Sequence, residues 1–175
     1  MLIIDMISSW DFPDADKLLR GAHGIVDSIS TLKSRCRRAE VPVIYANDNR
    51  GRWRSNFPEL VQRSLDTGGA AAAITRALMP DPDDYFVLKP SQSAFFGTPL
   101  ELLLQHLNIR RIVIVGVASD QCVLSTALDA RMRSLDAIVP SDCVASQTRA
   151  RHSAVLRQFE AVHRLPTTPG PRIRF

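Results

Sequence analysis

Three side chains with complementary chemistry stand at the ends of three apolar runs. Asp5 closes Leu2-Ile3-Ile4, Lys89 closes Tyr85-Phe86-Val87-Leu88, and Cys122 follows Ile112 to Ala118 by a short polar turn. A thiol can attack a carbonyl carbon, a carboxylate can take the thiol proton and return it to a leaving group, and an ammonium can keep that carboxylate ionised. Each residue alone also has an ordinary reading. A free cysteine packs as a small hydrophobe, an aspartate accepts backbone hydrogen bonds in a turn, and a lysine snorkels to the surface. Taken together, the acid, the amine and the thiol point to a cysteine-nucleophile site.

The elements that must position these residues alternate from end to end. The three runs are β-branched or aromatic and apolar on both faces, as buried parallel strands are. In an open α/β sheet the carboxyl ends of such strands line the crevice where ligands bind. Strands are expected at Leu2–Ile4, Pro42–Asn47, Tyr85–Lys89, Arg111–Val117 and Ala137–Val139, with room for a short last strand in Pro166–Phe175. An amphipathic helix is expected from Ala15 to Ala39, with Asp14 or Asp16 as its cap. Others are expected from Ala70 to Met79, after Thr98-Pro99 with Thr98 as N-cap, from Cys122 to Arg133, and from Thr148 to His163 with Val155, Phe159 and Val162 facing the core. Asp48 to Gly69 has no clean period and reads as a functional loop with room for a helical turn. The alternation implies right-handed βαβ crossovers and an α/β fold: a three-layer α/β/α sandwich on a mostly parallel, Rossmann-like sheet of about six strands. Without a linker, repeat or low-complexity tract, residues 1–175 are expected to form a single domain.

At 175 residues, 45% hydrophobic and 23% charged, the chain can bury a full core as an ordinary globular protein. The net charge of +4 is mild and the arginines are scattered, so no nucleic-acid partner is expected. No segment approaches the length of a membrane span. The start has no basic region before its short apolar run, so no signal peptide is expected. Three cysteines without CxxC spacing fit reduced thiols in a cytoplasm.

Gly116-Val117-Ala118-Ser119-Asp120-Gln121-Cys122-Val123 leaves a strand on small residues and enters a helix. A thiol there is expected to have a lowered pKa, and the amides of the turn could hold an oxyanion. This segment, with Leu2 to Met6, Leu88 to Leu100 and Ser141 to Ala145, resembles the isochorismatase-like cysteine hydrolases, a family that includes nicotinamidases and N-carbamoylsarcosine amidase. The resemblance implies a catalytic triad of Asp5, Lys89 and Cys122. It implies an oxyanion hole from the backbone N–H groups of Ala118 and Cys122, and a cis peptide between Val117 and Ala118. The net reaction it implies is hydrolysis of an amide or carbamoyl C–N bond in a small molecule. A catalytically silent scaffold of the same fold is the alternative.

Two departures from the family stand out. Nicotinamidases carry an Asp/His metal cluster after the second strand, where this chain reads Asn47-Asp48-Asn49-Arg50-Gly51-Arg52-Trp53-Arg54. The four histidines fall in expected helices without paired spacing, so neither a catalytic metal nor another cofactor is expected. The loop after Asp5 often carries Asn-Asp in the family and here reads Ser8-Ser9. Trp10, Phe12, Asn47, Trp53 and Phe95 are candidate substrate contacts, and Arg52 and Arg54 could attract a substrate carboxylate. Compact α/β folds of this kind often pair, so a homo-oligomer is expected.

Overall fold

The computed structural model describes residues 1–54 and 56–175. Its sheet has the strands β1 (Leu2–Ile4), β2 (Ile44–Asp48), β3 (Tyr85–Lys89), β4 (Arg111–Val117), β5 (Asp136–Ile138) and β6 (Val144–Ala145). The order is β3-β2-β1-β4-β5, with β6 beside the far end of β4, and every pairing is parallel. The chain runs outward from β1 to β3 and then crosses back to place β4 against β1. That reversal puts the topological switch point between the end of β1 and the end of β4.

Strand side chains alternate between two cores. Ile3, Tyr45, Val113 and Val115 pack with α1 (Ala15–Arg38), α2 (Phe57–Thr67) and α3 (Gly69–Ala77). Leu2, Ile4, Ile44, Ala46, Ile112 and Ile114 face the other way, toward α4 (Leu100–His106), α5 (Leu124–Met132) and α6 (Arg149–Ala161). Continuous apolar runs are required because both faces are covered. No helix among the described residues is long and apolar enough to cross a membrane.

Several local expectations change. The polar stretch after β2 contains the eleven-residue helix α2, capped by Asn56, whose Oδ1 accepts from the Glu59 N–H at 2.9 Å. Asp14 occupies the N-cap position of α1 in a left-handed conformation, but its side chain engages Lys17 and makes no cap bond. α4 begins at Leu100, one turn position later than Thr98-Pro99 suggests, and the Thr98 hydroxyl accepts from the Leu100 N–H. Val162 lies beyond the end of α6 and is 67% exposed rather than in the core. His163 also lies beyond that helix.

The tail forms no strand; it ends in a short 3-10 turn at Gly170–Arg172. Pro166, Pro169 and Pro171 remove the donors that a ladder needs. The sixth strand is β6, too short for periodicity to reveal. Pro166 and Thr167 still pass alongside, accepting from the Val139 and Ser141 amides.

Candidate active site

β1 ends under tight geometric control. Gly116 on β4 has φ +111°, and a Cβ there would stand 2.1 Å from the Ile4 carbonyl oxygen. Glycine therefore lets the two central strands close at the point where β1 gives way to Asp5. Asp5 itself turns into the left-handed region (φ 52°). Its N–H donates to Ala46 O at 3.0 Å, and its Oδ1 accepts from the Asp48 N–H at 2.8 Å. The carboxylate is thus held from β2 as well as from β1.

Lys89 closes β3 with its side chain wholly buried. Its Nζ lies 2.8 Å from Asp5 Oδ2, donates to Cys122 Sγ at 3.4 Å and to Ser91 O at 3.2 Å. Burial opposes its charge, but the neighbouring Asp5 and Cys122 outweigh this and raise its pKa. Lys89 is therefore a fixed cation, and one ammonium touches both the acid and the thiol.

Cys122 sits in a π-helical turn, Ser119–Val123, that joins β4 to α5. The peptide between Val117 and Ala118 is cis. The Ala118 carbonyl accepts from the Gln121 and Val123 amides at 3.1 and 3.2 Å, a pattern that passes over the Cys122 amide between them. Behind the turn, Ser146 Oγ donates to Asp120 Oδ1, Arg151 pairs with Asp120, and the Ser119 hydroxyl meets His152 Nδ1 at 3.3 Å. Burial lowers the pKa of His152.

The thiol is not activated in isolation, contrary to the expectation drawn from its place at a helix start. Desolvation and the negative charge of Asp5 push its pKa up to about 12, against a lowering by Lys89. The turn runs directly into α5, but burial, which disfavours the charged form, is the largest influence on the thiol. Cys122 therefore rests as a thiol beside Asp5.

A cleft of about 170 Å³ opens over these groups. Trp10, Phe12 and Leu18 form its apolar wall, Asp48, Arg50 and Gln121 its polar one, and Val117 and Ala118 its floor. Of the aromatic candidates, Trp10 and Phe12 reach the cleft. Trp53 is 78% exposed and outside the lining. Phe95 is buried in the core beneath α4 and α5, with the Arg133 guanidinium 4.7 Å from its ring centre. Asn47 is buried beside the cleft, lines a small recess next to Asp5, and donates through Nδ2 to Ile7 O at 2.8 Å, which staples the β1 loop to β2.

Arg52 pairs with Asp11 at 3.6 Å, and Arg54 is exposed and outside the lining. Arg50, Asp48 and Gln121 were not singled out by sequence reasoning. The turn residues that follow β2 at the crevice edge were the available signal.

No group of three or more His, Cys, Asp or Glu among the described residues is arranged to hold a metal ion. The end of β2 offers one carboxylate, Asp48, whose Oδ1 already accepts from the Arg50 N–H at 2.6 Å. This donor set does not fit the nicotinamidase kind of metal cluster.

Comparison with known proteins agrees with this architecture. The Isochorismatase domain family model matches residues 1–168. An uncharacterized isochorismatase family protein, YaaI of Bacillus subtilis, is 37% identical over 162 residues, covering 93% of this chain and 88% of that protein. Maleamate amidohydrolase of Pseudomonas putida is 26% identical, covering 92% and 78%. The crystal structure of N-carbamoylsarcosine amidase from Thermoplasma acidophilum superposes with a TM-score of 0.73 at 24% identity, covering 99% and 97%. The family match over nearly the whole chain and the full-length similarity to YaaI show that the chain belongs to the isochorismatase-like hydrolase family.

Proposed function

We propose that this protein is a cysteine amidohydrolase that cleaves an amide or carbamoyl C–N bond of a small molecule through Asp5, Lys89 and Cys122. The observation that carries the reading is the shared ammonium: Lys89 Nζ is 2.8 Å from Asp5 and 3.4 Å from Cys122. Asp5 takes the Cys122 proton as Sγ attacks the carbonyl carbon. The Ala118 and Cys122 N–H groups receive the oxyanion, where fixed amide donors lower the barrier most. The tetrahedral intermediate then expels the amine, which leaves with the proton held by Asp5. Water, deprotonated by Asp5, cleaves the thioester and returns the thiol. Lys89 stays charged throughout and compensates the negative charge that moves between carboxylate, sulfur and oxyanion. The amidohydrolase named among the relatives, which acts on maleamate, supports this bond class.

The test is ammonia release from a panel of small amides and ureides, with trapping of an acyl group on Cys122 by mass spectrometry. Cys122→Ala and Asp5→Asn are each expected to lower turnover by about 10³-fold or more while circular dichroism stays unchanged. Undiminished turnover in Cys122→Ala would sink the mechanism.

A further inference from the structure

Arg50 lines the same cleft as Asp5 and Cys122, and the chemistry above does not use it. It sits in a tight turn at the carboxyl end of β2. Arg50 and Gly51 both take positive φ, 53° and 68°. The Arg50 N–H donates to Asp48 Oδ1 at 2.6 Å and the Gly51 N–H to Asn49 Oδ1 at 2.8 Å. A left-handed conformation is uncommon for a residue such as arginine. Here two side chains of the turn itself hold it.

The guanidinium is fixed as well. Its carbon lies 4.1 Å from the centre of the Phe12 ring, and Nη2 donates to Ser8 Oγ at 3.2 Å. The Phe12 ring and Ser8 hold the guanidinium from two sides, and the serine takes one of its five N–H donors. Among the described residues no carboxylate forms an ion pair with it. Asp11 also feels the Arg50 charge but pairs with Arg52, and the Oδ1 of Asp48 is taken by the Arg50 amide. A cation has therefore been oriented over the cleft with donors to spare.

We propose that Arg50 is the specificity residue of the site, and that the substrate is a small amide or ureide carrying its own carboxylate. The inference rests on the hydrolase reading and adds the substrate class. The carboxylate would meet the Arg50 fork as a bidentate pair while the scissile carbonyl lies at Cys122. Phe12 and Trp10 would cover the carbon chain between them. A monoanion fits better than a phosphate ester. Among the described residues Arg50 is the one cation in the cleft lining, and Asp5 and Asp48 share that lining, so a second negative charge on the ligand would face two carboxylates with no further cation to meet it. The Ser8-Ser9 sequence after β1 thereby gains a use, since Ser8 anchors the clamp.

Two measurements on the intact protein test this. The first compares hydrolysis of maleamate with that of its neutral partner maleamide. Arg50→Gln is expected to lower the ratio of the two kcat/KM values by about 10- to 100-fold, the range for losing a hydrogen-bonded charge contact. Arg50→Lys, which keeps charge without the fork, is expected to fall between. The second needs no turnover. Cys122 is alkylated with acid and amide electrophiles of matched length, iodoacetate against iodoacetamide and 3-bromopropionate against 3-bromopropionamide. For at least one length the acid-to-amide rate ratio is expected to exceed that of free glutathione and to fall about tenfold or more in Arg50→Gln. Ratios that Arg50→Gln leaves unchanged in both assays would overturn the proposal. If the wild-type chain hydrolyses no amide while the alkylation ratio still collapses in Arg50→Gln, the carboxylate site stands and the amidohydrolase reading is what fails.

Discussion

Lys89 Nζ stands 2.8 Å from Asp5 Oδ2 with no solvent contact on the lysine and 16% exposure on the aspartate. A pair so placed is held by its partners more than by water, and removing one member strands the other. Lys89→Met is therefore expected to cost about 3 kcal/mol of stability, read as a lowered urea midpoint. Turnover should vanish at the same time, because the variant loses the cation that compensates both acid and sulfur. Lys89→Arg is not expected to restore it, since a planar fork cannot occupy the closed space of an ammonium. Wild-type stability in Lys89→Met would contradict the buried-pair account.

The alkaline limb of stability follows from groups that folding keeps protonated. Burial raises the pKa of Cys36, Cys122 and Cys143 above the ordinary thiol value of 9.0. It also raises Tyr45, to about 12. Each then binds a proton in the folded state that the unfolded chain has already lost, so stability falls as pH rises past about 9. Lys33 acts in the same direction at higher pH. Burial opposes its charge, but Asp84, Tyr45 and Asp81 raise its pKa from 10.5 to about 12, and its contribution is lost across that interval. The melting temperature is expected to drop by about 5 °C or more between pH 9 and 11. A flat thermal profile over that range would refute the assignment of these thiols as buried and protonated.

Gly116 offers a test that touches no reactive group. A Cβ at this position would fall 2.1 Å from Ile4 O and 2.9 Å from Ile4 N, at a φ of +111° that side chains rarely adopt. Gly116→Ala must part β1 from β4 or shift the start of the Asp5 turn. A loss of about 3 kcal/mol or more is expected, measured by chemical denaturation, with turnover falling in the protein that remains folded. An alanine variant of unchanged stability and activity would show that the strand ends tolerate separation.

What could be read in advance divides along physical lines. β1 and β4 were legible because strands covered on both faces must be apolar throughout. β3, expected to be buried like them, is an edge strand with Tyr85 and Phe86 exposed and was legible from its aromatic and β-branched residues instead. Asp5 and Lys89 interrupt their runs where they end. β6 was hidden because two residues carry no period. α2 was hidden because its stretch is polar, although Asn56 followed by Pro58 and Glu59 is a helix-start signal in its own right. Arg50 was passed over for Arg52 and Arg54. The direction a side chain takes from a left-handed turn depends on φ, not on spacing. Trp53 and Phe95 show the reverse limit: nothing in an aromatic residue type separates a cleft wall from a core or a surface. The thiol of Cys122 was expected to ionise readily because its place on the chain was visible, whereas the burial and the Asp5 charge that oppose ionisation arise only in space.

The end of β2 and the turn after it do two jobs with residues two positions apart. Asp48 lends its N–H to Asp5 Oδ1, and two positions later Arg50 leans over the cleft. An exchange of this loop that reaches back to Asp48, whether by evolution or by an engineer seeking a new substrate, also disturbs the anchor of the acid. Selectivity and chemistry are wired in series here. Loop swaps that preserve residues 47 and 48 and vary only from position 49 onward are the ones that leave the acid in register.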